Sequence, residues 1–95
     1  MVKHIVLFKL KNNSKEHCEF VRDMILSLKE KIEEIKEYEV GINFSKEQRA
    51  YDLALISSFE DEEALKRYAK HPLHLRVVEY LKSKESLTKV VDYFV

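Results

Sequence analysis

The segment VKHIVLFKLK, residues 2–11, is the most informative part of the chain because apolar side chains occupy both of its alternating faces. A strand directs successive side chains to opposite faces of its sheet. One face of this stretch is mostly apolar and carries Val2, His4, Val6, Phe8 and Leu10. The other face is apolar at its centre, at Ile5 and Leu7. The stretch therefore predicts a strand whose first face is covered by helices and whose second face meets another sheet.

A long amphipathic helix is predicted after this strand. Asn13 and Ser14 are residue types that cap helix N-termini. Apolar residues then recur at steps of three and four, at Cys18, Val21, Ile25, Leu28, Ile32 and Ile35. This spacing is typical of one buried helix face, and we expect that face to pack on the first face of the strand.

Three further strands and a second helical region complete the chain. Tyr38–Phe44 and Tyr51–Phe59 alternate like strands and are joined by a polar turn. Asp61 opens a helix with acidic residues, and Pro72 ends it. Pro72 also suits the first position of a new helical segment, whose apolar residues are Leu75, Val78 and Leu81. Leu87–Val95 is predicted as the last strand.

The order β-α-β-β-α-β predicts one α+β domain over residues 1–95, a ferredoxin-like sandwich with helices on one face of an antiparallel sheet. The second sheet face is then expected to carry Ile5, Leu7, Ala54, Ile56, Val90 and Phe94. Water is a poor partner for such a surface. Cys18 is the single cysteine, so no internal disulfide can reinforce this short chain. We therefore expect a homodimer formed by sheet-to-sheet packing.

Composition excludes several classes of partner. The 17 basic and 17 acidic residues balance, whereas nucleic-acid binders normally carry a basic excess. No apolar run is long enough for a signal peptide or a membrane span. With a free cysteine as well, the expected location is the cytoplasm and no nucleic-acid or membrane partner is expected.

The string YAKHPLH, Tyr68–His74, is the strongest candidate for chemistry. If His71 caps a helix and Pro72 is its first residue, His74 lies in the first turn. The helix dipole disfavours positive charge there, so the imidazole would stay neutral and could act as a general base. The alternative is that the histidines only suit the start of a helix and that Tyr68 belongs to the core.

His4 is the second candidate, because it shares a strand face with apolar residues. It could line a pocket, or it could be a core histidine with satisfied hydrogen bonds. His4 and His74 have no evident carboxylate partner, so no metal site is predicted. The chain also lacks a phosphate-binding loop, a dinucleotide fingerprint and a nucleophile elbow, so no cofactor is predicted.

Several strings of this chain resemble, in order and spacing, the stress-responsive A/B barrel domain (Dabb) family. They are Val2–Phe8, Gly41–Asn43, Tyr51–Leu55, Phe59–Leu65, Tyr68–His74 and Val91–Tyr93. The resemblance implies a ferredoxin-like fold whose sheets pair in a homodimer, forming a dimeric α+β barrel. Most members of the family have no assigned activity.

One plant member is a polyketide cyclase that performs an aldol condensation in a pocket between sheet and helices. The resemblance implies that His74 matches its base, Tyr68 the assisting tyrosine and His4 a pocket histidine. Another pocket histidine of that cyclase, on the third strand, falls at Leu53 here. The expected ligand-binding positions are His4 and Leu53, which the resemblance implies, and His71 of the same histidine string.

Two hypotheses follow. The first is a dimeric domain of unassigned activity that binds a small apolar or carbonyl compound between sheet and helices. The second is an enzyme, a cyclase of the aldol type or a related lyase, with His74 as general base and Tyr68 as its partner. The first is favoured because Leu53 replaces a polar pocket group and no cofactor motif is present.

Overall fold

The computed structural model describes residues 1–95 as four strands and three helices. They are β1 (Val2–Lys9), α1 (Lys15–Leu26), β2 (Ile35–Ile42), β3 (Leu53–Phe59), α2 (Glu62–Lys70), α3 (Pro72–Ser83) and β4 (Leu87–Phe94). The strands form one antiparallel sheet in the order β2-β3-β1-β4. The predicted ferredoxin-like α+β architecture is confirmed, and the second helical region consists of two helices that meet at His71.

The helices cover one face of the sheet, which we call the inner face. Its side chains on β1 and β3 join buried residues of all three helices in a single hydrophobic core. The helical members of that core include Cys18, Val21, Ile25, Ala64, Tyr68, Val77 and Leu81. The predicted assignment of β1 residues to this face is confirmed, since Val2, Val6 and Phe8 are buried on it.

The opposite, outer face has no covering element in the chain. Ile5 and Leu7 lie on it as predicted, and their partners on β3 are Ile56 and Ala54. The prediction for β4 was wrong: Val90 pairs with Val6 and Phe94 with Val2, so both belong to the inner face. The outer face carries Val91 and Tyr93 instead, opposite Ile5 and Lys3.

Helix α1 is shorter than the sequence predicts. Ser14 caps it, because its hydroxyl accepts a hydrogen bond from the His17 amide at 3.2 Å. The helix ends at Leu26, and the Ser27 hydroxyl donates back to the Met24 carbonyl at 2.6 Å. A series of turns follows, which still buries Leu28 and Ile32 in the core. The chain reaches β2 at Ile35, the residue predicted to end the helix.

Three smaller predictions were also wrong. β2 ends at Ile42, and Phe44 beyond it is 96% exposed instead of lying on a strand face. β3 begins at Leu53, two residues after the predicted start. Leu75 is exposed on α3, where Val77 and Leu81 face the core. None of the helices has the length and apolar character that crossing a bilayer requires.

Candidate functional site

A cavity of about 300 Å³ lies between the inner face of the sheet and the helices. Eleven of its 16 lining residues are hydrophobic, so the polar residues among them stand out. The other five are His4, His74, Lys82, Ser86 and Thr88, and two of the eleven, Tyr38 and Tyr68, also carry a hydroxyl. A volume at the small end of ligand sites, an apolar wall and a few convergent polar groups are typical of a site for a small organic molecule.

The His74 side chain is held by the junction of α2 and α3. Pro72 is the first residue of α3, and the amide of Leu73 donates to His71 Nδ1 at 3.1 Å. In an uninterrupted helix that amide would donate to the Ala69 carbonyl. Here His74 Nδ1 lies 3.0 Å from the Ala69 oxygen instead.

This contact fixes the tautomer of His74. A carbonyl oxygen can only accept, so Nδ1 must carry the proton. In the neutral ring the free lone pair is then on Nε2. Burial lowers the pKa of His74, and the nearby His4 and His71 rings lower it further against the opposing effect of the Ala69 contact. The imidazole therefore favours the neutral, basic form, chiefly through burial and not only through the helix dipole invoked from the sequence.

Tyr68 lies directly against this imidazole. Its side chain is 1% exposed, and the centroids of the two rings are 4.5 Å apart at an interplanar angle of 44°. The Tyr68 hydroxyl, however, forms its hydrogen bond with the Tyr38 hydroxyl, 2.7 Å away. Burial raises the pKa of Tyr68 to about 12, so the phenol remains protonated at neutral pH and can donate to a ligand.

His4 approaches the same cavity from β1. Its Nδ1 contacts the carboxylate of Asp92, the residue that pairs with it on β4. Because a carboxylate accepts, Nδ1–H is the donor and Nε2 is left as the other polar atom of the ring. The ring centroids of His4 and Tyr68 are 6.2 Å apart. The cavity thus brings together three of the predicted residues, His4, Tyr68 and His74.

Two predicted residues lie outside the lining of this cavity. His71 caps α3, and its Nδ1 is occupied by the Leu73 amide. Leu53 is buried at the start of β3 and borders a separate depression beside the loop after β2. No group of three or more His, Cys, Asp or Glu side chains is placed to hold a metal ion.

Sequence reasoning missed two residues of the site, Tyr38 and Asp92. Tyr38 was assigned only to the alternation of β2, and its contact with Tyr68 arises from packing between β2 and α2. Asp92 is the one acidic residue within the otherwise apolar end of β4. That position was the available signal, because a carboxylate among apolar strand residues usually has a specific partner.

Comparison with known proteins places this arrangement in a family. Residues 2–95 match the stress responsive A/B barrel domain, Dabb. The chain belongs to the Dabb family. An uncharacterized protein of Streptomyces coelicolor is 35% identical over 77 residues, which cover 78% of this chain and 79% of that protein.

Solved structures share the whole architecture. A dimeric protein of unknown function with a ferredoxin-like fold from Bacteroides fragilis has a TM-score of 0.83 and 34% identity. The match covers 99% of this chain and 95% of that one. A hydroxynitrile lyase from Passiflora edulis has a TM-score of 0.82 at 20% identity, covering 99% of this chain and 92% of the lyase. This last similarity shows the Dabb chain's fold alone.

Proposed function

We propose that this Dabb domain is a homodimer that binds a small, largely apolar molecule carrying a carbonyl group. The supporting observation is the cavity of about 300 Å³, in which His4, Tyr68 and His74 converge on an otherwise mostly apolar lining. The apolar wall would take the hydrocarbon part of the ligand. The Tyr68 hydroxyl would donate to the carbonyl oxygen, because a phenol with a raised pKa keeps its proton.

The outer face supports the homodimer. Ile5, Ile56 and Val91 form one cross-strand row on this face, and Leu7 and Ala54 lie in the next row. Val91 is 59% exposed, and Leu7 and Ile56 also reach solvent. A second copy of the same sheet would cover these side chains at the usual sheet-to-sheet distance of about 10 Å. The relative from Bacteroides fragilis, 34% identical, is dimeric.

Acetophenone is a suitable probe because it combines an apolar ring with one carbonyl group. We expect it to shift the backbone amide resonances around Tyr68, His74 and Val77 in a titration followed by NMR. Val78→Phe should abolish these shifts, since Val78 lines the cavity and a larger ring would fill it. Leu75→Phe is the matched control, because Leu75 is exposed on the same helix and does not line the cavity.

Two results would contradict the proposal. One is the absence of saturable shifts with acetophenone and with its aliphatic counterpart 2-heptanone. The other is a set of shifts that persists unchanged in a folded Val78→Phe protein, because the ligand would then occupy another surface.

A second candidate function is proton transfer by His74, and one observation favours it. The Ala69 contact keeps the proton on Nδ1 and leaves Nε2 basic. Nε2 could take a proton from the carbon next to the ligand carbonyl, forming imidazolium and an enolate whose oxygen accepts from Tyr68. The Passiflora edulis protein of the same fold is a hydroxynitrile lyase.

Deuterium exchange tests this candidate. In D₂O, the wild-type protein should speed the loss of the acetophenone methyl proton signal. His74→Asn should lower the exchange rate by about 10²–10⁴-fold, because the Asn amide can still donate to Ala69 but supplies no base. His17→Asn, on α1 and outside the cavity, should keep the wild-type rate. Exchange at the buffer rate in wild-type protein that binds acetophenone would leave a binding domain without this chemistry.

A further inference from the structure

Two tyrosine hydroxyls meet at the wall of the cavity. Tyr38 reaches it from the inner face of β2 and Tyr68 from α2, and their oxygens are 2.7 Å apart. Both side chains are buried. The rings are nearly perpendicular, with an interplanar angle of 70°, so the contact is made by the hydroxyls and not by ring stacking.

Such a pair has one proton more than its own hydrogen bond needs. Each hydroxyl can donate once and can also accept. The hydroxyl that accepts within the pair keeps its own proton for a third group. Tyr68 is the member whose ring lies against His74, at 4.5 Å between centroids. A ligand carbonyl beside His74 is therefore placed to accept a hydrogen bond from the Tyr68 hydroxyl.

We infer that Tyr38 is a positioning residue, which donates to Tyr68 and thereby directs the Tyr68 proton to the carbonyl oxygen of the ligand. This inference rests on the proposed function of the cavity. The chain of donors runs from Tyr38 to Tyr68 to the ligand. Hydrogen bonds in such a chain polarise and strengthen one another in a buried site.

The electrostatics of the pair point in the same direction. Burial raises the pKa of both phenols. The bond with Tyr38 opposes this rise at Tyr68, whereas the same bond adds to the rise at Tyr38. A hydroxyl that accepts becomes the better acid and the one that donates becomes the weaker acid. Tyr68 is thus the member of the pair that accepts from Tyr38 and donates its own hydrogen bond to the ligand.

The first experiment needs no ligand. We would place 3,5-difluorotyrosine at position 68, since fluorine brings ionisation of the phenol to a lower pH, and follow it by ¹⁹F NMR. Tyr38→Phe should raise the pKa of the residue at position 68, because a donated hydrogen bond is lost. Tyr80→Phe, whose hydroxyl contacts His17 outside the cavity, should leave that pKa unchanged. An unchanged or lower pKa in Tyr38→Phe would overturn the inference.

The second experiment compares acetophenone with α-methylstyrene, which has nearly the same shape but no carbonyl oxygen. Wild-type protein should bind acetophenone about five- to tenfold more tightly, the factor expected from one net hydrogen bond. Tyr68→Phe should bring the ratio to about one. Tyr38→Phe should lower it to about two, because the Tyr68 donor remains but loses its orientation.

The other possible results each distinguish a positioning role of Tyr38 from an alternative. Equal weakening of both ligands in Tyr38→Phe would mean that Tyr38 is only structural. Loss of the ratio in Tyr38→Phe but not in Tyr68→Phe would reverse the order of donation and overturn the inference. If neither compound binds wild-type protein, the proposed function fails, and the ¹⁹F titration still decides the role of Tyr38. Should Tyr38→Phe not fold, 4-methylphenylalanine at position 38 restores the length of the side chain without a donor.

Discussion

The two faces of the sheet differ although the sequence makes both apolar. Leu55 and Ile56 are neighbours on β3 and have similar side chains, yet Leu55 is 3% exposed and Ile56 is 36% exposed. Leu55 points to the helices and Ile56 points away from them. The number of helices, and not the hydrophobicity of the strand, limits what one chain can bury. Under the proposed homodimer, a second chain would cover the outer residues.

The same division separates two kinds of task. On β1, His4 faces the cavity and Ile5 faces outward. The polar groups proposed for ligand binding are all on the inner side, where the core holds their positions. The outer side carries the surface proposed for self-association. Substitutions of adjacent residues can therefore test the two tasks separately.

Leu55→Ala should have the largest effect on stability. Removing a buried Leu side chain costs about 2–5 kcal/mol of unfolding free energy, because transfer energy is lost and a cavity forms. Urea unfolding at a fixed protein concentration measures it. Leu75→Ala, at an exposed position of α3, should change stability by no more than about 0.5 kcal/mol. Equal costs for the two variants would contradict the assignment of the inner face.

Ile56→Lys should disrupt the proposed dimer while leaving the core intact. Lysine on the central row of the outer face would place an unpaired charge in a sheet-to-sheet interface. We expect self-association to weaken at least about a hundredfold, or about 2.7 kcal/mol. Sedimentation velocity over a dilution series measures this change. Leu75→Lys is the control, and an undiminished dimer in Ile56→Lys would show that the outer face is not the interface.

Ser57 and Ser58 are both buried but lie on opposite faces of the sheet, so each tests a different face. The Ser57 hydroxyl donates to the His4 carbonyl at 2.9 Å, and the Ser58 hydroxyl donates to the Glu37 carboxylate at 2.7 Å. Ser57→Ala should cost about 1 kcal/mol. Ser58→Ala should cost less, because Glu37 is exposed and can turn to water. Urea unfolding of both variants would refute this order if Ser58→Ala were the more damaging.

The smallest expected effect concerns the pH dependence of stability. The pKa of His74 is lower in the folded chain than its ordinary value of 6.5, mainly because of burial. The unfolded state therefore binds the proton more readily, and the contribution of His74 to stability is lost as the pH falls below about 6.5. Unfolding free energies at pH 7.5 and pH 5 should differ less in His74→Asn than in wild type. Equal differences would show that His74 is not a buried neutral base.

The sequence predicts the centre of the fold better than its ends. The inner and outer faces of β1 could be predicted because Lys3 and Lys9 lie on one face, whereas Val2, Val6 and Phe8 lie on the other with His4. On β4, Val90 and Val91 are alike, so only the register with β1 decides which of them faces the helices. The end of α1 was missed because Leu28 and Ile32 continue the helical spacing, although turns bury them equally well.

The residues of the site also differ in how well the sequence predicts them. Local sequence was enough to single out Tyr68 and His74, since both belong to one short string around Pro72. Tyr38 and Asp92 act through contacts with residues 30 and 88 positions away. Such contacts depend on the pairing of whole elements, which a periodicity does not specify. Leu53 was expected in the cavity through resemblance alone, and the structure places it outside the lining.

The helix junction at Pro72 has a consequence for which changes this chain can tolerate. Successive residues of α3 are rotated by about 100° around its axis. One residue inserted between Pro72 and His74 would turn the imidazole away from both Ala69 and Tyr68. Replacing Leu73 by another apolar helix-forming residue would keep the imidazole in place, because Leu73 contributes its backbone amide to the junction and an apolar side chain that packs against the core. The spacing of Pro72 and His74 is therefore under tighter constraint than the identity of the residue between them.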